Sequence, residues 1–209
     1  MSEELNPVNY FVTAIGTDSG KTLISAILCE ALQADYWKPI QAGLPKDSDR
    51  VAELISNSKT KIHPERYLLK TPASPHAAAR IDGVGIKLQD FILPKTSNTL
   101  IIEGAGGCMV PINEKDFVID LAESFKSEII LVANLYLGSI NHSLLTAFLL
   151  QQKKLNIKGI IFNGVSNKES ERIILQHTQL KCLLKIDQEP EITKNEVIKY
   201  ADILKKNWE

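Results

Sequence analysis

Gly20-Lys21-Thr22 sets an ammonium and a hydroxyl side by side after a glycine, at the end of the run VNYFVTAIGTDSGKT (residues 8–22). Those residue types in that order suit a bound phosphate chain. Successive backbone N–H groups and the positive end of a following helix cradle phosphate oxygens, a lysine reaches the β- and γ-phosphates, and a hydroxyl ligates Mg²⁺. Lys21 and Thr22 are placed for those two tasks, with Asp18, Ser19 and Leu23 in the same turn. Two further charged residues stand where short apolar runs stop: Lys38 after Tyr36-Trp37, and Glu103 after Leu100-Ile101-Ile102. A carboxylate beside a phosphate site can complete the oxygen shell of Mg²⁺, although an acid at a strand end can equally cap a helix.

These residues require particular elements to hold them. β-Branched and aromatic residues through position 15 predict a buried strand, and residues 23–32 return at helical spacing, so residues 16–20 form the turn and a helix runs over about 21–33. The G-x-x-x-x-G-K-[ST] pattern would need Gly at Ile15, so the loop departs from it by one residue. A second strand at 36–38 is stopped by Pro39, and residues 41–45 have loop composition. Lys38 at that strand end faces the crevice where open parallel sheets take their ligands. Asp47-Ser48-Asp49 precedes Val51, Leu54 and Ile55, which predicts a helix capped by Asp47 or Ser48, with Asp49 complementing the dipole in its first turn. Prolines 72 and 75 enforce an extended entry to an alanine-rich helical turn, where Ser74 and His76 either line a pocket or act as a cap and an exposed imidazole.

An amphipathic segment with Leu88, Phe91 and Ile92 leads to the strand at 99–102. The glycines of Gly104-Ala105-Gly106-Gly107 then let backbone approach a ligand closely. Thereafter helices near 117–125, 140–153, 168–176 and 196–205 alternate with apolar strands at 129–133, 157–162 and 182–186. Such alternation predicts an α/β fold with a mainly parallel sheet covered on both faces. Gly138-Ser139-Ile140-Asn141-His142 and Asn163-Gly164 follow two of those strands, and Asn163 either meets a base edge or favours a turn.

With 209 residues and 44% hydrophobic content, the chain can bury a full core as one domain, 1–209. Its net charge of −1 and scattered Lys and Arg offer no footprint for nucleic acid or anionic lipid, so a small-molecule partner is favoured. Cys29, Cys108 and Cys182 are far apart and odd in number, which reads as buried thiols in a reducing compartment. Residues 1–7 read as a frayed terminus, and the most apolar run, 129–137, is too short to span a bilayer and contains Asn134. A soluble, cytoplasmic protein is expected.

Laid out in order, these motifs resemble the ATP-dependent dethiobiotin synthetases of biotin biosynthesis. The likeness spans nearly the whole chain: the phosphate loop, KPIQAG at 38–43, DSD at 47–49, SPH at 74–76, EGAGG at 103–107, GSINH at 138–142, and Asn163. It implies a three-layer P-loop NTPase-like fold and a homodimer. It further implies Lys21 and Lys38 as catalytic lysines, and Mg²⁺ held by Thr22, Asp49 and Glu103. ATP would be contacted by residues 18–23, Asp49, Glu103, Gly104, Ala105, Gly106, Asn163 (at adenine) and Gly164. Ala42, Ser74, Gly138, Ser139 and Asn141 would meet the substrate.

The implied reaction carboxylates 7,8-diaminononanoate with CO₂ and closes a cyclic urea through a carbamic-phosphoric mixed anhydride, and Thr17 would orient the carbamate. The family loop usually reads Gly-Thr-Asp-Thr-x-x-Gly-Lys-Thr. Here Ala14, Ile15 and Gly16 stand opposite its first three residues, and Thr17 is kept. Ala42 replaces a usual Ser or Thr, and Lys185-Ile186-Asp187-Gln188 replaces Gly-x-Ile-Pro, so that last loop is assigned no nucleotide contact. Two other readings of the loop are a synthetase that activates a carboxylate and a partitioning-type nucleotide switch. The switch would carry Lys two residues before Gly-x-Gly-Lys, within a stretch that here reads Ile15-Gly16-Thr17.

Overall fold

The computed structural model describes residues 8–208. Residues 1–7, expected to be a frayed terminus, lie outside the described residues. Strand β1 (Asn9–Ala14) runs into the turn that precedes α1 (Lys21–Leu32). Next come β2 (Asp35–Trp37), β3 (Ile40–Ala42), α2 (Asp47–Leu54), β4 (Ile62–His63), β5 (Tyr67–Leu69) and α3 (Pro75–Ile81). The second half alternates through β6 (Leu100–Glu103), α4 (Val118–Ser124), β7 (Glu128–Asn134), α5 (Ser139–Gln152), β8 (Ile157–Asn163), α6 (Lys168–Thr178), β9 (Cys182–Ile186) and α7 (Lys194–Asn207).

Seven strands form one parallel sheet in the order β4-β2-β6-β1-β7-β8-β9. The chain leaves β1 toward β2 on one side and later returns to β7 on the other, so the strand order reverses at β1. A crevice opens at such a point beyond the strand ends, and here the loop after β1 lies in it.

Both faces of the sheet are apolar because side chains alternate along each strand. Phe11, in register with Ile102 and Ile129, packs with Val118 and Leu121 of α4, Ala147 and Leu150 of α5, and Ile174 of α6. Val12, Ile101, Ile130 and Tyr36 pack on the other face with Ile24 and Ile27 of α1, Val51 of α2, and Val197 and Leu204 of α7. Each fully buried side chain of this size contributes about 1.5–3 kcal/mol, and a parallel sheet needs that cover on both sides. The α/β three-layer expectation therefore holds.

The middle of the chain differs from the sequence expectation in four places. Residues 41 and 42, expected as the start of a loop, belong to β3, which pairs with β5 in a separate two-stranded sheet, and β4 adds an edge strand. These strands are only two or three residues long, too short to show a period. Helix α2 begins at Asp47 with Lys46 at its N-cap, so neither Asp47 nor Ser48 caps it; Gln41 Oε1 accepts from the Asp47 N–H at 3.1 Å instead. The segment around 88–92 contributes one 3₁₀ turn, Leu88–Asp90, with Phe91 buried and Ile92 exposed. Cys29 and Cys108 are buried free thiols, whereas Cys182 is half-buried. No helix among the described residues is long and apolar enough to cross a membrane.

Candidate active site

The loop between β1 and α1 is held at both ends of its span. Gly20 occupies the N-cap of α1 at φ +93°, and a Cβ there would lie 2.3 Å from Asn163 Nδ2. That position requires glycine for its left-handed backbone and for the space it leaves. Asn163 Nδ2, at the end of β8, donates to the Ser19 carbonyl at 3.0 Å. Ser19 Oγ, at hydrogen-bond distance from two acceptors, is 2.7 Å from Asn134 Oδ1 at the end of β7 and 3.1 Å from the Gly16 carbonyl. The phosphate-type loop is thus stapled to two neighbouring strand ends. The adjoining cleft, of about 750 Å³, is lined by residues 17–22, by Lys38, Ala42, Asp47, Ser74 and Glu103, and by Ala105 and Gly106.

Lys21 curls over its own loop, with Nζ 3.3 Å from the Gly16 carbonyl, and is buried. Burial first, and then the neighbouring Lys38 charge, lower its pKa to about 8, against the raising influence of Glu103, Asp47 and Asp18. A cation so poorly compensated gains from an incoming anion, which is how a phosphate-binding lysine should be prepared.

Lys38 is in the opposite condition. Its Nζ lies 2.6 Å from Asp47 Oδ2 and 2.8 Å from Glu103 Oε1, and it donates to the Gly104 carbonyl at 3.2 Å. Burial alone would lower its pKa, but the charges of Glu103 and Asp47 and the hydrogen bonds to them outweigh it and hold the ammonium above the ordinary lysine range. Glu103, at the buried end of β6, also accepts from Thr22 Oγ1 at 3.0 Å and from the Tyr36 hydroxyl at 2.9 Å. Burial, followed by the charge on Glu103, pushes the Tyr36 phenol well up. Two carboxylates and a hydroxyl thus converge beside the loop, and an ammonium already sits between the acids. This is a hard oxygen donor set arranged around positive charge, the kind a small divalent cation takes together with phosphate oxygens and water.

The expected site residues divide accordingly. Thr17, Asp18, Ser19, Gly20, Lys21, Thr22, Lys38, Ala42, Ser74, Glu103, Ala105 and Gly106 line the cleft. Asp49 does not: its side chain is 64% exposed and lies 3.9 Å from Lys46. The acid turned into the cleft is Asp47, two residues earlier, which the sequence offers, with Ser48 as the alternative, as a cap. A helix turns by 3.6 residues, so residues two apart face nearly opposite ways, and the register of α2 decides which acid points inward. That register was visible in sequence, since Asp47 lies four and seven residues before the buried Val51 and Leu54. Ser74 holds the N-cap position of α3, but its Oγ lies 3.1 Å from His76 Nδ1 and caps nothing. Leu23, Gly104, Asn163 and Gly164 stand outside the cleft lining, as do Gly138, Ser139 and Asn141 at the start of α5.

Comparison with known proteins gives the same picture at the scale of the chain. A family described as AAA domain matches residues 8–196. An ATP-dependent dethiobiotin synthetase from Cytophaga hutchinsonii is 58% identical over 201 residues, covering 95% of this chain and 98% of its own. One from Christiangramia forsetii is 44% identical over 202 residues, covering 96% and 97%. Among solved structures, the septum site-determining protein MinD of Pyrococcus horikoshii, complexed with Mg-ADP, superposes with TM-score 0.59 at 16% identity, covering 97% of this chain and 92% of that one. A ParA family ATPase from Chlorobium tepidum gives TM-score 0.58 at 14% identity, covering 97% and 96%. At such identities the two structures speak for the fold alone.

Proposed function

The chain belongs to the ATP-dependent dethiobiotin synthetases of biotin biosynthesis, ligases built here on an AAA domain, and from that premise we propose how its residues divide the reaction. The substrates are ATP, 7,8-diaminononanoate and CO₂ or bicarbonate. One amine of the diamine takes up CO₂ as a carbamate, and a carbamate oxygen attacks the γ-phosphorus with loss of ADP. The second amine then attacks the carbamoyl carbon, closing the ring and releasing phosphate. The substrate supplies every nucleophile, so the protein has to gather anions and neutralise the charge that moves between them.

The observation that carries this reading is the Lys38 ammonium, fixed at the cleft between Asp47 and Glu103 and next to the loop that holds Lys21. Lys21 serves the β- and γ-phosphates. Lys38 serves the carbamate and the phosphoryl group passing to it, and Thr17, lining the same cleft, orients the carbamate. Thr22, Glu103 and Asp47 are the residues that would hold Mg²⁺, with Asp47 taking the place first given to Asp49. Bound there, the ion would offset phosphate charge. Asn163 supports the loop through Ser19 and borders the nucleotide side, with Gly164 following it. Ala42 and Ser74 line the substrate end of the cleft.

The start of α5 is the proposed seat for the substrate's distal carboxylate, because a helix N-terminus with free N–H groups favours an anion. The family resemblance implies a homodimer, and because Gly138, Ser139 and Asn141 stand apart from their own chain's cleft, we assign them to a neighbouring subunit's site. Met109, Leu137, Leu145 and Phe148 are large apolar side chains exposed around α5 and the Gly107 loop, the character of an interface. We place the enzyme in the cytoplasm, where ATP is supplied and its three unpaired cysteines persist.

The test is phosphate release in mixtures lacking one substrate at a time. Release should require ATP, the diamine and bicarbonate together. Robust hydrolysis without the diamine, or stimulation by DNA or lipid, would support a nucleotide switch instead.

A further inference from the structure

The terminal torsion of a glutamate is soft, so a carboxylate that must present one particular oxygen needs something to stop it turning. Glu103 has such a restraint, and it comes from neither the phosphate loop nor Lys38. Its Oε1 receives Thr22 Oγ1 at 3.0 Å and Lys38 Nζ at 2.8 Å, both from the cleft side. Its Oε2 receives the Tyr36 hydroxyl at 2.9 Å from the core side. Tyr36 is in register with Ile101, so it shares a sheet face with Ile101 and Glu103, and its ring is packed with no exposed surface in the core beneath α1. A ring locked in that way carries its hydroxyl as a fixed point.

We propose that Tyr36 is a positioning residue for the reaction: its hydroxyl pins Glu103 Oε2 and thereby keeps Oε1 turned toward Thr22 and the metal-nucleotide site. The inference rests on the reading of Glu103 as a metal-holding acid. Tyr36 itself touches neither substrate nor ion. It acts through Glu103 alone, and this is what separates it from a side chain that merely fills the core. Hydrogen-bonded partners of ligating groups typically alter metal affinity by about 10–100-fold when removed.

The probe is Mn²⁺, titrated by electron paramagnetic resonance into the protein with ADP present, for the parent chain, Tyr36→Phe, Glu103→Gln and the double variant. ADP binding without metal is measured alongside. Tyr36→Phe should weaken Mn²⁺ by about 10–100-fold and leave metal-free ADP affinity within about twofold. In the Glu103→Gln background it should add little, because the two residues act as one unit.

Parent-like Mn²⁺ affinity in Tyr36→Phe, with Glu103→Gln weakened, would overturn the role of Tyr36 and leave that of Glu103 standing. Full additivity would also overturn it. Parent-like affinity in Glu103→Gln would remove the metal reading and this inference with it. Should Tyr36→Phe not fold, the ¹⁹F resonance of Tyr36 in protein carrying 3-fluorotyrosine replaces it. A shift with Mg·ADP but not with ADP alone supports the proposal, and no difference between the two overturns it.

Discussion

Two lysines in one cleft carry opposite electrostatic histories. Lys21 is buried with too little negative charge around it, whereas Lys38 is buried between two acids. Lys38→Gln should therefore leave ATP affinity within about threefold while turnover falls about 10²–10³-fold, the usual cost of losing one donor aimed at developing charge. Lys21→Ala should weaken ATP itself, and equal losses of ATP affinity in the two variants would contradict the division. The acids differ just as sharply. Asp47→Asn should raise the Mg²⁺ concentration needed for half-maximal rate by about tenfold or more. Asp49→Asn, an exposed change, should stay within about 0.5 kcal/mol of the parent in stability and keep its metal dependence. Titrating Mg²⁺ at saturating substrates checks both. Lys21 and Thr22 were legible from the glycine before them, and Lys38 and Glu103 from standing where apolar runs stop. Asp47 was missed because it was weighed as a cap, although its place four and seven residues before Val51 and Leu54 puts it on the inward face of α2, where Gln41 fixes the start of the helix.

At the scale of elements, the site is a set of strand ends drawn around one loop. Gly20, Asn134 and Asn163 meet there although they are distant in sequence. Gly20→Ala would force a non-glycine residue to φ +93° and press its Cβ on the Asn163 amide. A loss of about 1–3 kcal/mol of stability is expected for such a position, together with weaker metal-free ADP binding. Thermal unfolding and ADP titration measure the two effects, and parent-like values in both would show that the loop does not need this geometry. The long apolar strands and their helices could be read from periodicity, because each is long enough to show it. β3, β4 and β5 could not, and neither could the pairing of β3 with β5 or the strand order that places β1 at the switch point. Those features depend on partners far along the chain, about which a short run of residues carries no information.

Across the whole molecule, the residues assigned to one reaction lie in two places. The cleft holds Lys21, Lys38 and the acids, while Asn141 lies in the first turn of α5, with Leu137, Leu145 and Phe148 exposed around that helix. Asn141→Asp should raise KM for the diamine and leave KM for ATP nearly unchanged, since it sets a like charge against the substrate carboxylate. Mixed dimers of Asn141→Asp with Lys21→Ala should regain activity through one intact composite site. No recovery from inactive parents would place both residues in the same subunit's site. The covered parallel sheet was legible from alternation alone, whereas the proposed division between chains rests on the family resemblance, with the start of α5 standing outside its own chain's cleft. The central claim, that ATP activates a carbamate formed on the substrate, is tested most directly with ¹⁸O-labelled bicarbonate in rapid single turnover. Transfer of the γ-phosphoryl group to a carbamate oxygen predicts that the released phosphate carries one ¹⁸O and that the other is retained in the ring carbonyl. Phosphate free of ¹⁸O, formed alongside a labelled ring, would show that water and not the carbamate takes the phosphoryl group.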